Sequence, residues 1–283
     1  MERPCRKSTL FLALIASLPV VLMNTAAAER VVTEPILTLT GHPFIVQDVA
    51  YSPDGTRLLT GSSNVARLWD ASSGSVIRTF TEDAGDPGLI NAVAFSPDGT
   101  RILTGIRAAT ARLWNVETGD CLVTFTGHTN EVLSVAFSPD GTTVLTGSLD
   151  KTAKVWDAAT GLCTRTLTHA QSVTSVAFSQ DGSFMLTGSA DKTAKLWNAG
   201  TGSCIRTFTG HGNTVNAVAF SPDASRVFTG CGDGTAKLWD TLSGSCLMTL
   251  TAHSGMFGVL SVDVSPDGTR LLTAGYDTTQ SLM

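Results

Sequence analysis

Apolar residues alternate with small or polar residues over short stretches of this chain, and turn-forming residues separate the stretches. In one segment Val132 to Phe137 alternates, Ser138 to Gly141 reads Ser-Pro-Asp-Gly, and Thr143 to Thr146 and Thr152 to Trp156 continue the pattern. A Thr-Gly turn then leads into a fourth stretch, Cys163 to Leu167. Turns about every 8 to 12 residues between such runs are typical of short β-strands. The pattern therefore predicts an all-β chain built from units of four strands.

The four-strand unit recurs along most of the chain with a regular period. Each of the first five units ends at one of the five tryptophans, which are Trp69, Trp114, Trp156, Trp197 and Trp239. Their spacings of 45, 42, 41 and 42 residues match the period of four-stranded propeller blades. Because one such unit cannot close a core alone but can stack on its neighbours, we expect blades arranged around a central axis.

The residues before the repeats differ in composition from the rest. Three basic residues near the N-terminus are followed by an almost uncharged apolar run from Leu10 to Met23, and Ala26 to Ala28 offers a cleavage site. We expect a cleaved signal peptide over residues 1–28, because this apolar run, broken by a proline, is shorter than the roughly 20 residues of a membrane-spanning helix. A short leader, 29–34, then precedes a single propeller domain over 35–283.

Loss of the signal peptide makes an acidic chain more acidic. The full sequence has 19 Lys and Arg against 24 Asp and Glu, a net charge of −5; without the first 28 residues, 16 basic and 23 acidic residues remain, a net charge of −7. Nucleic acid and anionic membrane surfaces are therefore not expected partners. The predicted signal peptide and the absence of an Asn-x-Ser/Thr sequon after it favour a periplasmic or secreted protein of bacterial type.

The beginnings and ends of the units carry a specific resemblance. Trp-Asp closes three of them, at Trp69-Asp70, Trp156-Asp157 and Trp239-Asp240, and Gly-His opens several, as at Gly127-His128. With these motifs in register over about residues 35 to 283, the chain resembles the WD40-repeat family. The resemblance implies a six-bladed propeller of four-stranded antiparallel blades, with no cofactor and no catalytic activity, that holds a protein or peptide partner.

The WD40 family carries a buried, hydrogen-bonded set of His, Ser or Thr, Asp and Trp in each blade, here called a tetrad. The resemblance implies complete tetrads in blades three to five: His128, Thr146, Asp150 and Trp156; His169, Thr187, Asp191 and Trp197; His211, Thr229, Asp233 and Trp239. It implies partial tetrads elsewhere: His42, Thr60, Asn64 and Trp69 in blade one; Thr104 and Trp114 in blade two; His253, Thr273 and Asp277 in blade six. In blade two, the acidic stretch Glu82 to Gly88 replaces the histidine.

A threonine, a histidine and an aspartate in contact also resemble a nucleophilic triad. We expect a structural role instead, because the set repeats in several blades and because buried polar groups must satisfy one another. The tetrads use all five histidines, so no metal site and no catalytic residue is expected.

Cysteine residues recur with the same period as the tryptophans. Cys121, Cys163, Cys204 and Cys246 fall at the same place in the fourth strand of successive blades. We expect them to pack as small apolar residues, too far apart for a disulfide or a shared ion. Cys231 lies outside this pattern, and its role stays open.

Closure of the ring depends on the two ends of the repeat region. The first strand, Pro35 to Thr40, is spare, and blade six stops after three strands at Met283. We expect Ile36 to Thr40 to supply the outer strand of blade six, which would seal six blades and remove exposed sheet edges. A truncated propeller of the seven-bladed type is the alternative.

The resemblance further implies that partners dock on the narrow face around the central channel. Three positions per blade matter there: the third and fifth residues after the module histidine, and the residue before the tetrad aspartate. Blades six, one, two and three present mainly apolar side chains with a few charges, as expected of a docking patch. The predicted docking residues are Ile45, Leu89, Arg107, Glu131, Leu133, Leu149, Leu260 and Tyr276.

Other interpretations of the sequence stay open. The apolar residues of the narrow face could merely line a solvated channel. An exported hydrolase-like enzyme is an alternative function, with Glu131 the only acidic candidate among the docking positions. A small-molecule- or glycan-binding surface protein is another.

Overall fold

The structure is a computed structural model, and it is described for part of the chain. Those residues contain 24 strands in six antiparallel sheets. The predicted signal peptide and leader fall outside the described residues except for Thr9–Leu10, so cleavage after residue 28 stays a prediction. The described ranges are 9–10, 37–82, 89–255, 257–275 and 280–282.

The strands of the first three sheets follow one another in chain order. Sheet one joins β1 (Thr9–Leu10), β2 (Val46–Tyr51), β3 (Arg57–Ser62), β4 (Val65–Asp70) and β5 (Val76–Thr81). Sheet two joins β6 (Ile90–Phe95), β7 (Arg101–Ile106), β8 (Thr110–Asn115) and β9 (Cys121–Thr126). Sheet three joins β10 (Val132–Phe137), β11 (Thr143–Ser148), β12 (Thr152–Asp157) and β13 (Cys163–Thr168).

The remaining sheets repeat this plan. Sheet four joins β14 (Val173–Phe178), β15 (Phe184–Ser189), β16 (Ala194–Asn198) and β17 (Cys204–Phe208). Sheet five joins β18 (Val215–Phe220), β19 (Arg226–Cys231), β20 (Thr235–Asp240) and β21 (Cys246–Thr251). Sheet six, in the described residues, joins β22 (Val259–Val264), β23 (Leu271–Gly275) and β24 (Gln280–Leu282). The predicted all-β organisation in four-strand units is confirmed for sheets two to five, and sheet one adds the short β1 to its four strands.

Each Ser-Pro-Asp-Gly segment forms the turn between the first and second strands, and its side chains close the hairpin. Ser138 Oγ donates to Asp140 Oδ1 at 2.5 Å and accepts from Thr143 N at 2.9 Å. Gly141 N donates to Ser138 O at 2.9 Å, with Gly141 at φ +69°, a conformation that glycine adopts without steric cost. The motif therefore sets both the place and the shape of the turn.

The core lies between successive sheets rather than inside any one of them. Between sheets two and three, Leu103 and Phe125 pack against Val132, Val144 and Trp156. All five side chains are buried, and equivalent clusters separate the other neighbouring pairs from sheet one to sheet six. A four-stranded sheet thus obtains its core from its neighbours, as expected of a stacked repeat protein.

Glycine after the tetrad threonine sets the spacing between sheets. A Cβ on Gly105 would lie 2.7 Å from Val135 Cγ1 and 2.9 Å from Val132 Cγ1 of the next sheet. Real Cβ atoms do not approach so closely, so bare backbone is required at this contact. Sheets one and three to five carry a glycine at the same place, whereas sheet six has Ala274 there, paired with Ser261 as Gly230 is paired with Ala217 in sheet five.

Replacing Gly105 with alanine is expected to lower the free energy of unfolding by about 1–3 kcal/mol, because the added methyl must push sheet three away. Gly200→Ala is the matched control, since its Cβ would meet only Asn198 Oδ1, at 3.4 Å. Guanidinium unfolding of both variants would measure the difference. An equal loss of unfolding free energy in both variants would show that the close approach of sheet three does not require glycine at position 105.

Buried polar side chains also tie the first strands of neighbouring sheets together. Asp48 of β2 is buried, and its Oδ2 accepts a hydrogen bond from Val93 N of β6 at 2.8 Å. Serine occupies the same place in β10 and makes the same kind of bond, since Ser134 Oγ accepts from Val176 N at 3.1 Å. The first strands therefore contact one another through both backbone and side chains.

The predicted closure strand lies partly outside the described residues, and residues 37–40 form no strand. Their packing nevertheless resembles that of an outer strand. Leu37 Cδ1 lies 3.1 Å from the place of a Cβ on Gly74, as Arg78 of β5 lies against Gly119 of the next sheet. Leu39 packs against the buried side chains of sheet one. Closure of sheet six by residues 36–40 stays a prediction.

Candidate docking face and the tetrads beneath it

In sheet three, four side chains form a continuous hydrogen-bond chain. Trp156 Nε1–H donates to Thr146 Oγ1 at 2.9 Å, and Thr146 Oγ1 lies 2.7 Å from His128 Nε2. His128 Nδ1 lies 2.7 Å from Asp150 Oδ2. An ionised carboxylate can only accept, which places the histidine proton on Nδ1 and makes Nε2 the acceptor of the threonine hydroxyl. The chain therefore runs from tryptophan to threonine, to histidine and to aspartate.

The environment of this chain suits a structural group. Burial lowers the pKa of His128, and this outweighs the opposing effect of Asp150, so the ring is neutral at pH 7. Burial raises the pKa of Asp150, but hydrogen bonds from Thr152, His128 and the Thr129 backbone lower it by more. The net pKa is below the ordinary value, so the carboxyl stays ionised. Thr146 is fully buried. A hydroxyl with no access to solvent cannot reach a substrate, so the triad interpretation has no geometric support here.

Sheet four repeats the arrangement. His169 lies 2.7 Å from Thr187 through Nε2 and 2.9 Å from Asp191 through Nδ1, and Trp197 Nε1 donates to Thr187 at 2.9 Å. Burial raises the pKa of Asp191, but hydrogen bonds from Thr193, His169 and backbone bring it down to about 2. The same four residue types thus make the same bonds in two successive sheets.

Sheet five departs from the pattern at one contact. His211 Nε2 and Trp239 Nε1 still meet Thr229 Oγ1, at 2.6 and 2.9 Å. His211 Nδ1, however, lies 3.6 Å from Asp233 Oδ2, too far for a hydrogen bond. Asp233 Oδ2 accepts from Gly212 N at 2.7 Å, as Asp150 Oδ2 does from Thr129 N in sheet three, and His211 Nδ1 lies 3.3 Å from Thr235 Oγ1. The histidine and the aspartate of this sheet are therefore not hydrogen-bonded to each other.

Sheet one keeps three members of the tetrad. His42 Nε2 lies 2.6 Å from Thr60 Oγ1, which accepts from Trp69 Nε1 at 2.8 Å. Within the described residues His42 Nδ1 has no hydrogen-bond partner, so Asn64 does not take the place of the aspartate there. Burial, and secondarily the charge of Arg67, lower the pKa of His42 to about 4.

In sheet two a glutamate occupies the place of the histidine. Thr104 Oγ1 accepts from Trp114 Nε1 at 3.0 Å and donates to Glu82 Oε1 at 2.7 Å. Glu82 is buried, and its Oε2 lies 3.0 Å from Arg112 Nη1. The sequence showed Glu82 at this point but not its role. An acidic residue next to the missing histidine, together with an arginine two residues before Trp114, was the available signal.

In sheet six, His253 Nε2 lies 3.1 Å from Thr273 Oγ1. The predicted aspartate of this tetrad, Asp277, falls outside the described residues.

The residue after each tryptophan fixes the turn into the outer strand. Asp157 Oδ1 accepts from Thr160 N at 2.8 Å, and Asn198 Oδ1 accepts from Thr201 N at the same distance. Both residues use one side-chain oxygen for this turn. That shared requirement explains why asparagine replaces aspartate without a change of structure.

Above the tetrads, the loops that lead into the first strands bring the predicted docking positions together in pairs with the turns after the second strands. Arg107 N donates to Leu89 O, and Leu149 N donates to Glu131 O, both at 2.9 Å. The loops of sheets four and five pair in the same way. Each described sheet from two to five therefore presents two of the three predicted positions side by side.

The predicted docking residues differ in exposure. Arg107 and Ile45 are exposed, and Arg107 Nε pairs with Glu131 Oε1 at 2.9 Å. The leucines of this group, Leu89, Leu133, Leu149 and Leu260, are only partly exposed. Tyr276 lies outside the described residues. The patch is thus an ion pair among half-buried leucines with an exposed edge at Ile45.

Two further apolar side chains of the histidine loops escaped the sequence analysis. Phe44, two residues after His42, is 67% exposed, and Phe257, in the loop after His253, is 50% exposed. The adjacent Phe44 and Ile45 in a short loop were the signal that could have revealed this extension. Strand β1, which lies within the predicted signal peptide, contacts both β2 and β22, the first strands of sheets one and six.

The recurring cysteines do not pack as predicted. Cys121, Cys163, Cys204 and Cys246 are free and exposed. The cause is a β-bulge at the start of each outer strand, where Trp114 pairs with Cys121 while Leu113 pairs with Val123. The extra residue turns this part of the strand towards solvent.

Among the cysteines that the structure describes, Cys231 is the buried exception. Its Sγ lies 3.2 Å from Asn213 O, as Ser148 Oγ lies 2.9 Å from Asn130 O in sheet three. Burial raises the pKa of the Cys231 thiol to about 11. Cys231 therefore replaces a structural serine and is not an activated nucleophile.

Fold and site together define a repeat protein of stacked antiparallel sheets, most of them four-stranded, each with a buried polar group that contains a histidine or, in sheet two, Glu82. Comparison with protein families agrees: the family described as WD domain, G-beta repeat matches 33–70, 74–115, 119–157, 161–198, 202–240 and 244–279. The chain belongs to the WD40 repeat family. Proteins of this family are typically non-catalytic scaffolds, and their domains generally bind protein partners.

Among curated proteins, the chain is similar to Ribosome assembly protein 4 of Saccharomyces cerevisiae. The two are 45% identical over 49 residues, which is 17% of this chain and 10% of that protein. The chain thus matches about a tenth of the length of this relative, a stretch little longer than one repeat.

Among the described residues, no helix is long and apolar enough to cross a membrane.

Proposed function

We propose that the protein is a non-catalytic scaffold that holds a protein or peptide partner on its histidine-loop face, in the periplasm or outside the cell. Membership of the WD40 family supports the class of function. The observation that carries the choice of surface is the exposure of Phe44, Ile45 and Phe257 on loops of that face. Large apolar side chains so exposed mark interaction sites, and aromatic anchors contribute most to binding.

The chemistry of this surface indicates the chemistry of the partner. Phe44, Ile45 and Phe257 offer apolar contacts, and the partly exposed leucines continue the apolar character towards sheet three. The Arg107–Glu131 pair adds one charge of each sign. With a net charge of −7 for the chain without its first 28 residues, the protein favours a neutral or basic partner with apolar side chains at its centre.

The exported location rests on the sequence of the first 28 residues. Their basic start, apolar run and Ala-Ala-Ala site have the order of a bacterial signal peptide. N-terminal sequencing of the protein recovered from its own cells would test the cleavage after Ala28.

No comparable observation supports the two alternative functions, a hydrolase-like enzyme and a small-molecule- or glycan-binding protein. Glu131, the acidic residue that an enzyme of this face would use, is held by Arg107. Glycan binding would favour exposed tryptophans, and all five tryptophans are buried between sheets.

The test is crosslinking capture of the native chain from its own cells beside the double variant Phe44→Asp, Ile45→Asp. A Leu133→Asp variant extends the test towards sheet three. Leu162→Asp is the matched control, because Leu162 is 66% exposed but lies in the turn between β12 and β13, at the opposite end of the sheet from the histidine loops.

We expect a protein captured by the native chain and the control to be reduced at least tenfold with the Phe44 and Ile45 variant. Equal capture by all variants would contradict the proposed face. Turnover of a small-molecule ester or glycoside by the native chain would contradict the non-catalytic class.

A further inference from the structure

Three potential ligand groups converge in sheet five. The ligand atoms of His211, Cys231 and Asp233 all lie within 4.8 Å of one another. Neither sheet three nor sheet four has a cysteine there, since Ser148 and Ser189 occupy the place of Cys231. Sheet five is also the sheet in which the histidine and the aspartate are parted.

The distance between His211 Nδ1 and Asp233 Oδ2 matches that between two ligands of a metal ion. In sheets three and four, the histidine nitrogen and carboxylate oxygen lie 2.7 and 2.9 Å apart, which is hydrogen-bond length and leaves no room for an ion. In sheet five, the two atoms are 3.6 Å apart. Two ligands of a tetrahedral zinc ion bound at about 2.0–2.2 Å lie about 3.4 Å from each other. The separation in sheet five thus fits an ion held by both atoms.

The outer contacts of the three groups already suit metal ligands. His211 Nε2 lies 2.6 Å from Thr229 Oγ1, which can accept its proton when Nδ1 binds a metal. Asp233 Oδ1 accepts from Thr235 Oγ1 at 2.6 Å, and Oδ2 from Gly212 N at 2.7 Å, so the carboxylate is fixed in position. Asp233 N donates to Cys231 Sγ at 3.4 Å, a bond that stabilises a thiolate.

We infer that His211 Nδ1, Cys231 Sγ and an Asp233 carboxylate oxygen form a zinc-binding site in sheet five. A thiolate, an imidazole and a carboxylate together suit Zn²⁺, whereas Mg²⁺ and Ca²⁺ require oxygen ligands. Binding displaces the thiol proton, so the affinity rises with pH. The Asp233 side chain is 23% exposed, which gives the ion a path from solvent. The group found among the described residues has three ligands, and water takes the fourth position.

The test uses the full chain and Co²⁺ as a spectroscopic substitute for Zn²⁺. A cobalt–thiolate charge-transfer band, saturating at one equivalent, reports a cysteine ligand. Cys231→Ser restores the residue found in sheets three and four, so the variant keeps the local fold. Asp233→Asn is the second variant, and Cys163→Ser, which removes an exposed thiol, is the matched control.

We expect the band in the native chain and in Cys163→Ser, its loss in Cys231→Ser, and a Co²⁺ Kd raised at least tenfold in Asp233→Asn. Zn²⁺ should raise the melting temperature of the native chain and leave that of Cys231→Ser unchanged. A band that survives in Cys231→Ser, or that falls in proportion to the exposed thiols removed, would overturn the proposal. So would a native chain that shows no band.

Discussion

Asp48→Ser is expected to remove a contribution that lowers the unfolding free energy as the pH rises from 5 to 8. The buried histidines, whose pKa values are lowered, contribute with the opposite sign in both proteins, so the prediction concerns the difference between the two slopes. Burial raises the pKa of Asp48 from 3.8 to about 7, against the opposing hydrogen bonds from the Val93 and Val49 backbone. Between these two values the unfolded chain ionises and the folded chain does not, so the folded state is progressively disfavoured. Below pH 3.8 both states are protonated and this loss vanishes.

The size of the effect follows from the pKa difference. Each pKa unit corresponds to about 1.4 kcal/mol, so the native protein should lose roughly 2–3 kcal/mol of its unfolding free energy between pH 5 and pH 8 through this group. Serine at position 48 keeps an acceptor for Val93 N, as Ser134 does for Val176 N, but carries no charge. Urea unfolding at several pH values measures the slope.

The control for this prediction is Asp54→Ser. Asp54 is exposed, and its hydrogen bond from Ser52 lowers its pKa below the ordinary value, so it stays ionised in both states over this pH range. This variant should keep the native slope. Identical slopes for the native protein and Asp48→Ser would mean that Asp48 ionises in the folded state without cost.

Thr146→Val is expected to lower the free energy of unfolding by about 3–5 kcal/mol. Valine has nearly the shape of threonine, but it removes the atom that accepts from Trp156 Nε1 and contacts His128 Nε2. Both partners are buried, and each buried polar group left unsatisfied costs about 1–3 kcal/mol. Guanidinium unfolding monitored by tryptophan fluorescence measures the loss.

Thr126→Val is the control, because Thr126 is an exposed threonine of an outer strand and should change stability by less than about 0.5 kcal/mol. A Thr146→Val variant as stable as this control would show that the tetrad contributes little to stability.

The sequence was sufficient for the all-β organisation in repeated four-strand units because the period, the turns and the tryptophans all repeat. The predicted starts of the four strands in the third module, such as Val132 and Cys163, coincide with the observed ones, and the strands that differ run one or two residues further. Each Ser-Pro-Asp-Gly turn is closed by its own side chains, so local sequence alone determines it. Repetition turned weak local signals into a reliable pattern.

The details that the sequence did not show depend on contacts between distant residues. Glu82 takes the place of a histidine because Thr104 and Arg112, 22 and 30 residues away, surround it. The exposure of Cys121 depends on a β-bulge that no residue type announces. The exposure of Phe44 depends on how its loop packs. Periodicity reports what the modules share and not where one of them differs.

One difference between modules, the methyl group of Ala274, has a mechanical consequence. Five sheets present bare backbone to the sheet that follows, and sheet six presents a side chain instead. A sheet packed there stands farther off and gains less dispersion energy, and in a stack held by nearest-neighbour contacts the weakest joint opens first. In a closed ring of these sheets, five interfaces would be stiff and the interface after sheet six would be more compliant. Thermal fluctuations of such a ring would be largest at that interface, beside Phe44 and Phe257, where the partner is proposed to bind.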